Sequence, residues 1–164
     1  MSGIRTAFVH CRLMVTNISH SPEETAALGQ TWGRAAQSGL VIGLSGDLGA
    51  GKTQLVKGIA AGLGISARVH SPTFTLINQY AGGRLTLFHL DLYRLETLDQ
   101  ILAAGLEEYL QPAGIAVIEW ADRWFHSPGI SVPARERLPR RYRSVLIESL
   151  GERERRITYE NFGA

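Results

Sequence analysis

Leu40-Val41-Ile42-Gly43-Leu44, then Ser45, then Gly46-Asp47-Leu48-Gly49-Ala50-Gly51-Lys52-Thr53 is the stretch that decides the fold. The first five residues are an apolar, strand-like run, and the last eight satisfy G-x-x-x-x-G-K-[ST] at every fixed position. A strand feeding a glycine-rich turn and then a helix is a phosphate cradle. The glycines let the backbone curl until successive N–H groups from Asp47 to Thr53 face one anion, and the helix starting at Lys52 aims its positive dipole end at the same point. Lys52 would reach the β- and γ-phosphates of a nucleotide, and the Thr53 hydroxyl would sit on Mg2+. The same residues also occur as a plain strand-to-helix connection, but strand, motif and helix stand here in the order that a nucleotide site requires.

Outward from the loop, the spacing of Leu55, Ile59 and Leu63 predicts a helix from Lys52 to about Ala61, stopped by Gly62 and Gly64. Upstream, Phe8 to Val15 reads as a strand. Ser21-Pro22-Glu23-Glu24 reads as a helix start with Ser21 at the N-cap, Pro22 in the first helical position and Glu24 able to close a capping box. That helix should reach about Gln37, burying Leu28, Trp32 and Ala35 or Ala36, with Gly39 ending it. Downstream, Ser71 to Tyr80 is expected to be extended, because Pro72 disfavours a preceding helix and β-branched and aromatic residues follow. The Ala81-Gly82-Gly83-Arg84 turn then leads into Leu85 to Asp91 as an antiparallel hairpin partner. Leu98 to Leu110 carries helical spacing interrupted by Gly105, and Ile115 to Glu119 is an all-but-apolar strand of the kind buried on both faces. Ala121 to Arg141 reads as loop with a short helix, and Arg143 to Ile147 with Arg156 to Tyr159 as a closing hairpin around Gly151.

The expectation is one α/β domain over residues 1–164, a P-loop NTPase-like three-layer sandwich. Its central sheet is made mixed by the two hairpins, with 1–18 as an N-terminal extension or strand and 143–160 as the C-terminal hairpin. With 164 residues, 45% of them hydrophobic, the chain can bury one sizeable core and is too short for two ordinary domains. Its single cysteine, Cys11, excludes an internal disulfide and a cysteine-rich zinc site and points to a reducing cytoplasm. No apolar run approaches a membrane span and the first residues lack a signal-peptide pattern, so a soluble cytoplasmic protein is expected. The formal net charge of +2 is too small to announce nucleic-acid binding, yet arginines gather late, at Arg135, Arg137, Arg140, Arg141 and Arg143 and then at Arg153, Arg155 and Arg156. That first cluster reads as a solvated face, able to pair with phosphate or RNA if it has a role at all.

A phosphate loop needs a second acid, and in this fold class it ends a buried strand and faces the crevice. Asp91 and Glu119 both do so. Ser71 and Thr73 read either as a switch segment sensing the γ-phosphate or its metal, or as a Ser/Thr-rich strand entry. His70 and His89 have no companion cluster and read as structural, as does Trp120.

Taken together, Gly46 to Thr53, Ser71-Pro72-Thr73-Phe74-Thr75-Leu76, His89-Leu90-Asp91-Leu92-Tyr93-Arg94-Leu95, Gly105-Leu106-Glu107-Glu108-Tyr109 and Ile118-Glu119-Trp120 resemble the bacterial TsaE (YjeE) family in order and spacing, over roughly Ser19 to Trp124. The resemblance implies an ATPase subunit needed for the threonylcarbamoyl modification of adenosine 37 in tRNAs that read codons beginning with A. Such a subunit binds the complex of TsaB and TsaD, meets tRNA through that complex, and resets it by hydrolysing ATP. Residue by residue, the resemblance implies that Lys52 and Thr53 hold phosphate and Mg2+ and that Glu119 is the second Mg2+-associated acid. It likewise implies that Asp91 stands by the γ-phosphate for hydrolysis and that Ser71 to Thr73 form the switch-like segment. The rivals are a small nucleoside or metabolite kinase with the arginines of 135–143 as a lid, and a nucleotide-gated scaffold that barely hydrolyses. A GTPase is disfavoured because no Asn-Lys-x-Asp or Thr-Lys-x-Asp sequence occurs.

Overall fold

A computed structural model describes residues 13–125 and 137–163. In chain order the elements are β1 (Met14–Ser19), α1 (Pro22–Ala35), β2 (Leu40–Ser45), α2 (Lys52–Gly62), β3 (Ile77–Tyr80), β4 (Leu87–Asp91), α3 (Leu98–Ala103), a 3-10 turn (Leu106–Leu110), β5 (Ile115–Glu119), α4 (Asp122–Phe125), β6 (Arg141–Ser149) and β7 (Arg155–Phe162). All seven strands form one sheet in the order β1-β7-β6-β2-β5-β4-β3. The inner four, β6, β2, β5 and β4, are parallel, while β3, β7 and β1 pair antiparallel at the flanks. The expected mixed α/β sandwich is therefore present. Its two layers of helix follow from strand alternation: Ile42 and Leu44 pack towards α1 and α2, whereas Val41 packs towards α3 and α4.

Helices α1 and α2 approach more closely than ordinary side chains allow. A Cβ at Gly29 or Gly33 would overlap the carbonyl oxygen of Leu55 or Ile59, and one at Gly58 or Gly62 would overlap that of Ala26 or Gln30. The glycines are thus a contact surface. Gly62 belongs to this seam and does not stop α2; the stop is Gly64, at φ 78°. Ser21 caps α1 by accepting from the Glu24 N–H, while the Glu24 carboxylate reaches back to the N–H of His20, one residue earlier than the expected box. Trp32 and Ala36 are buried, Leu28 is half-buried and Ala35 is exposed.

Four expectations need correction or limits. The first strand runs Met14–Ser19, further along than Phe8 to Val15, because its pairing with β7 continues to Ser19 opposite Arg155. Residues 8–12, Cys11 and Arg135 lie outside the described residues. Ser71 to Leu76 is not strand: the N–H groups of Thr75 and Leu76 both fold back on the Pro72 carbonyl, and Leu76 reverses the chain at φ 65°. Finally, the arginine cluster is not uniformly solvated. Alternation along β6 places Arg143 on the α1 face with Val145, where its guanidinium lies 4.6 Å from the Trp32 ring and 4.9 Å from the Tyr159 ring.

Candidate active site

Parallel pairing sets three loop ends side by side, since Leu44 is opposite Glu119 and Glu119 is opposite Asp91. The phosphate loop leaves β2 at this edge, where ligands bind in open α/β sheets. The resulting cleft, of about 370 Å3, is lined by residues of the loop, by Ser71, Thr73, Asp91 and Tyr93, and by Glu119 and Trp120. The sequence-derived candidates therefore converge from four separate stretches.

Gly51, at φ 104°, turns the loop into α2 in a conformation that a side chain would resist. The outer edge of the loop is fixed by Arg155, whose Nε donates to the Ala50 carbonyl at 2.9 Å while Nη1 holds the Gly151 and Glu154 carbonyls. The Lys52 ammonium folds back on its own loop and donates to the carbonyls of Gly46 (2.6 Å) and Asp47 (2.8 Å). It also lies 4.1 Å from the Trp120 ring centre. Burial pulls the Lys52 pKa below the ordinary lysine value, against the opposing pull of the carboxylates of Glu119, Asp91, Asp122 and Asp47. This is a buried cation held on weak partners, and a polyanion in the cleft would serve it better.

Thr53 Oγ1 donates to Glu119 Oε1 at 2.8 Å, which places a hydroxyl and a carboxylate together at the start of α2. Asp91 is buried and held by three donors, with acceptor capacity left on Oδ1: its Oδ2 accepts from Ser71 (2.9 Å) and Thr73 (2.8 Å), and its Oδ1 accepts from the Tyr93 N–H (2.8 Å). The turn in Ser71 to Leu76 follows from this. Residues i and i+2 of a strand stand about 6.5 Å apart, too far for both hydroxyls to reach one oxygen and also to lie 2.8 Å from each other. Backbone strain gathers here as well, at Trp120 (φ 61°) directly after Glu119 and at Leu76, whose carbonyl receives the Asp91 N–H.

Three residues of the site were missed by sequence reasoning, the first being Trp120, read as structural, whose ring lines the cleft 4.1 Å from the Lys52 ammonium. His89, dismissed as structural, lies 2.7 Å from Glu119 Oε1; the signal was its place two residues before Asp91 on one strand, hence on the same face. Arg155, counted only as a late positive charge, grips the loop, and nothing local announced it. Conversely, Arg141 and Arg143 pair with Leu40 and Ile42 at the opposite end of the sheet, away from the cleft. There they line a second groove of about 410 Å3 that has neither phosphate loop nor acid. A kinase lid built from these two residues is not supported.

Among the described residues, no group of three or more His, Cys, Asp or Glu side chains comes together as a metal cage. Thr53 and Glu119 could hold a divalent cation only with ligands from water and nucleotide, which is how Mg2+ is usually held.

The family model described as "Threonylcarbamoyl adenosine biosynthesis protein TsaE" matches residues 19–157. The chain is 41% identical to a Bacillus subtilis protein named tRNA threonylcarbamoyladenosine biosynthesis protein TsaE, over 87% of this chain and 83% of that one. It is 33% identical to the protein of the same name from Mycobacterium tuberculosis, over 86% and 83%. The crystal structure of Bacillus subtilis YdiB is similar at a TM-score of 0.73 and 36% identity, covering 94% of this chain and 89% of that one. With the phosphate loop, the paired acids and the sheet order in place, the chain belongs to the TsaE family.

Proposed function

We propose that this chain is a single P-loop ATPase domain that binds ATP with Mg2+ in the cleft, hydrolyses it slowly, and so serves threonylcarbamoylation of adenosine 37 in tRNAs that read codons beginning with A. The observation that carries the reading is the meeting of loop, Thr53–Glu119 pair and Asp91 in one cleft. The loop N–H groups from Asp47 to Thr53 would cradle the phosphates, with Leu48, Gly49, Ala50 and Gly51 contributing backbone only. Lys52 would exchange the Gly46 and Asp47 carbonyls for phosphate oxygens, a gain because its charge is already desolvated. Thr53 and Glu119 would hold Mg2+, which when bound neutralises charge developing on the phosphates. Asp91, an acceptor already aimed by three donors, would orient the attacking water, and Ser71 and Thr73 would couple its position to the state of the γ-phosphate.

The relatives' names support the tRNA-modification role, and we propose TsaB and TsaD as the proteins through which the chain acts, with tRNA met indirectly and the cytoplasm as the setting. No helix of the described residues is long and apolar enough to cross a membrane. A partner-stimulated rate fits the cleft, because two arginines beside it are occupied: Arg123 on the carbonyls of Leu92, Tyr93 and Leu95, and Arg155 on the loop. A charge-stabilising arginine supplied from outside is worth about 10³–10⁵ in rate. ATP turnover by the purified chain, alone and with TsaB and TsaD, tests this. Slow turnover that rises with both partners is expected; a full rate alone, or a rate that awaits a small phosphate acceptor, would contradict it.

A further inference from the structure

Strand β4 carries His89 two residues before Asp91, so both side chains leave the sheet on the face covered by α2. His89 is fully buried. Its Nε2 lies 2.7 Å from Glu119 Oε1, and Thr53 Oγ1 donates to that same oxygen at 2.8 Å. A carboxylate oxygen accepts, so Nε2–H is the donor of this contact. Among the described residues, Nδ1 is the one buried side-chain nitrogen or oxygen with no hydrogen-bond partner. Packing alone does not call for an imidazole with one buried nitrogen left unpartnered. The imidazole is kept for its other nitrogen.

Glu119 Oε1 thus carries two protein donors, whereas Oε2 receives none from the described residues in a side chain that lines the cleft. Resting on the reading of Glu119 as the Mg2+-associated acid, we infer that His89 is a positioning residue whose Nε2–H pins Oε1 so that Oε2 stays available to the cation that accompanies ATP. Thr53 cannot do this alone, because the same hydroxyl is needed by the cation. His89 supplies a donor with no second duty.

Calorimetric titration of ATP into the protein, once in EDTA and once in Mg2+, gives a Mg2+ enhancement of affinity for wild type and for His89→Leu, His89→Asn and His89→Gln. The enhancement should fall about ten-fold or more in the Leu and Asn variants, while affinity in EDTA stays at the wild-type value. Glutamine can place an N–H where Nε2 stands and should keep most of the enhancement; asparagine cannot reach. If the Leu variant does not fold, the contrast between Gln and Asn decides. Wild-type enhancement in both Leu and Asn variants, or equal loss in Gln and Asn, would overturn the inference. Absence of enhancement in wild type itself would instead remove the reading of Glu119, and the inference with it.

Discussion

Helix α2 lives in two regimes. Its body meets α1 across glycines set against carbonyl groups, with Leu55 and Ile59 fully buried beside them. Its first turn projects Lys52 and Thr53 into a cleft lined also by the buried Asp91 and Glu119, with His89 buried behind Glu119. Three of the six buried polar or charged side chains among the described residues line that cleft and a fourth, His89, stands behind Glu119, so desolvation is concentrated there. The seam contributes stability and fixes where the first turn lies; the cleft draws on that stability to keep charges ready for a ligand. The difference explains why a helix with so little side chain on one flank can carry so much chemistry at its tip.

The sharpest way to break this division is Asp91→Asn, which keeps the shape of the cleft and removes the charged acceptor. ATP affinity should stay near the wild-type value while turnover falls by about 10²–10⁴-fold. Parallel loss of binding, seen by calorimetry, would mean that Asp91 belongs to the phosphate cradle instead.

Next in size is Lys52→Met. ATP affinity should drop by about 10²-fold, the scale of a charge-assisted contact of roughly 3 kcal/mol, while the ligand-free protein unfolds no earlier than wild type. The sign follows from burial. A basic group whose native pKa is lowered is protonated less readily in the folded than in the unfolded chain, so its contribution to stability rises with pH through the alkaline range just below the ordinary lysine value. The Met variant should lose that rise in chemical-denaturation curves taken across the range. A ligand-free Met variant that is clearly less stable would place Lys52 in the supporting regime.

Gly58→Ala tests the seam. Its Cβ would overlap the Ala26 carbonyl, so the helices must part; overpacking of about 1–3 kcal/mol, offset by up to about 1 kcal/mol of helix propensity, leaves a net loss that urea unfolding can read. ATP affinity should fall too, though by less than in Lys52→Met, because the first turn shifts with the helix. The smallest effect is expected of Thr73→Ala, which removes one of two hydroxyl donors to Asp91 Oδ2. The loss of about 1 kcal/mol should slow turnover about five-fold and leave the melting temperature nearly unmoved. A larger drop in melting temperature than in rate would turn the Ser71 to Thr73 segment into mere support.

The same division governs what could be read from sequence. The phosphate loop, β2, the antiparallel β3–β4 pair and the closing hairpin are written in local pattern, because turn chemistry and periodicity act over a few residues. The order of the strands, with β6 lying beside β2, is not local. Ser71 to Leu76 read as strand because its residue types favour one, yet two hydroxyls and a backbone N–H tie that segment to Asp91 and Leu76 into a turn. Arg143 and Arg155 looked like surface charge because nothing in an arginine's neighbours along the chain reveals a ring or a carbonyl that arrives from elsewhere. His89 was the legible miss: strand alternation places it beside the acids, and only the lack of a metal-ligand cluster hid it.

A crystal structure of the chain with Mg2+ and a non-hydrolysable ATP analogue tests the central claim most directly. The triphosphate should lie on the Asp47 to Thr53 N–H groups, with Lys52 moved off the Gly46 and Asp47 carbonyls onto phosphate oxygens and the cation beside Thr53 and Glu119. A nucleotide seated elsewhere, or a Lys52 that keeps its two carbonyl partners with the analogue bound, would contradict it.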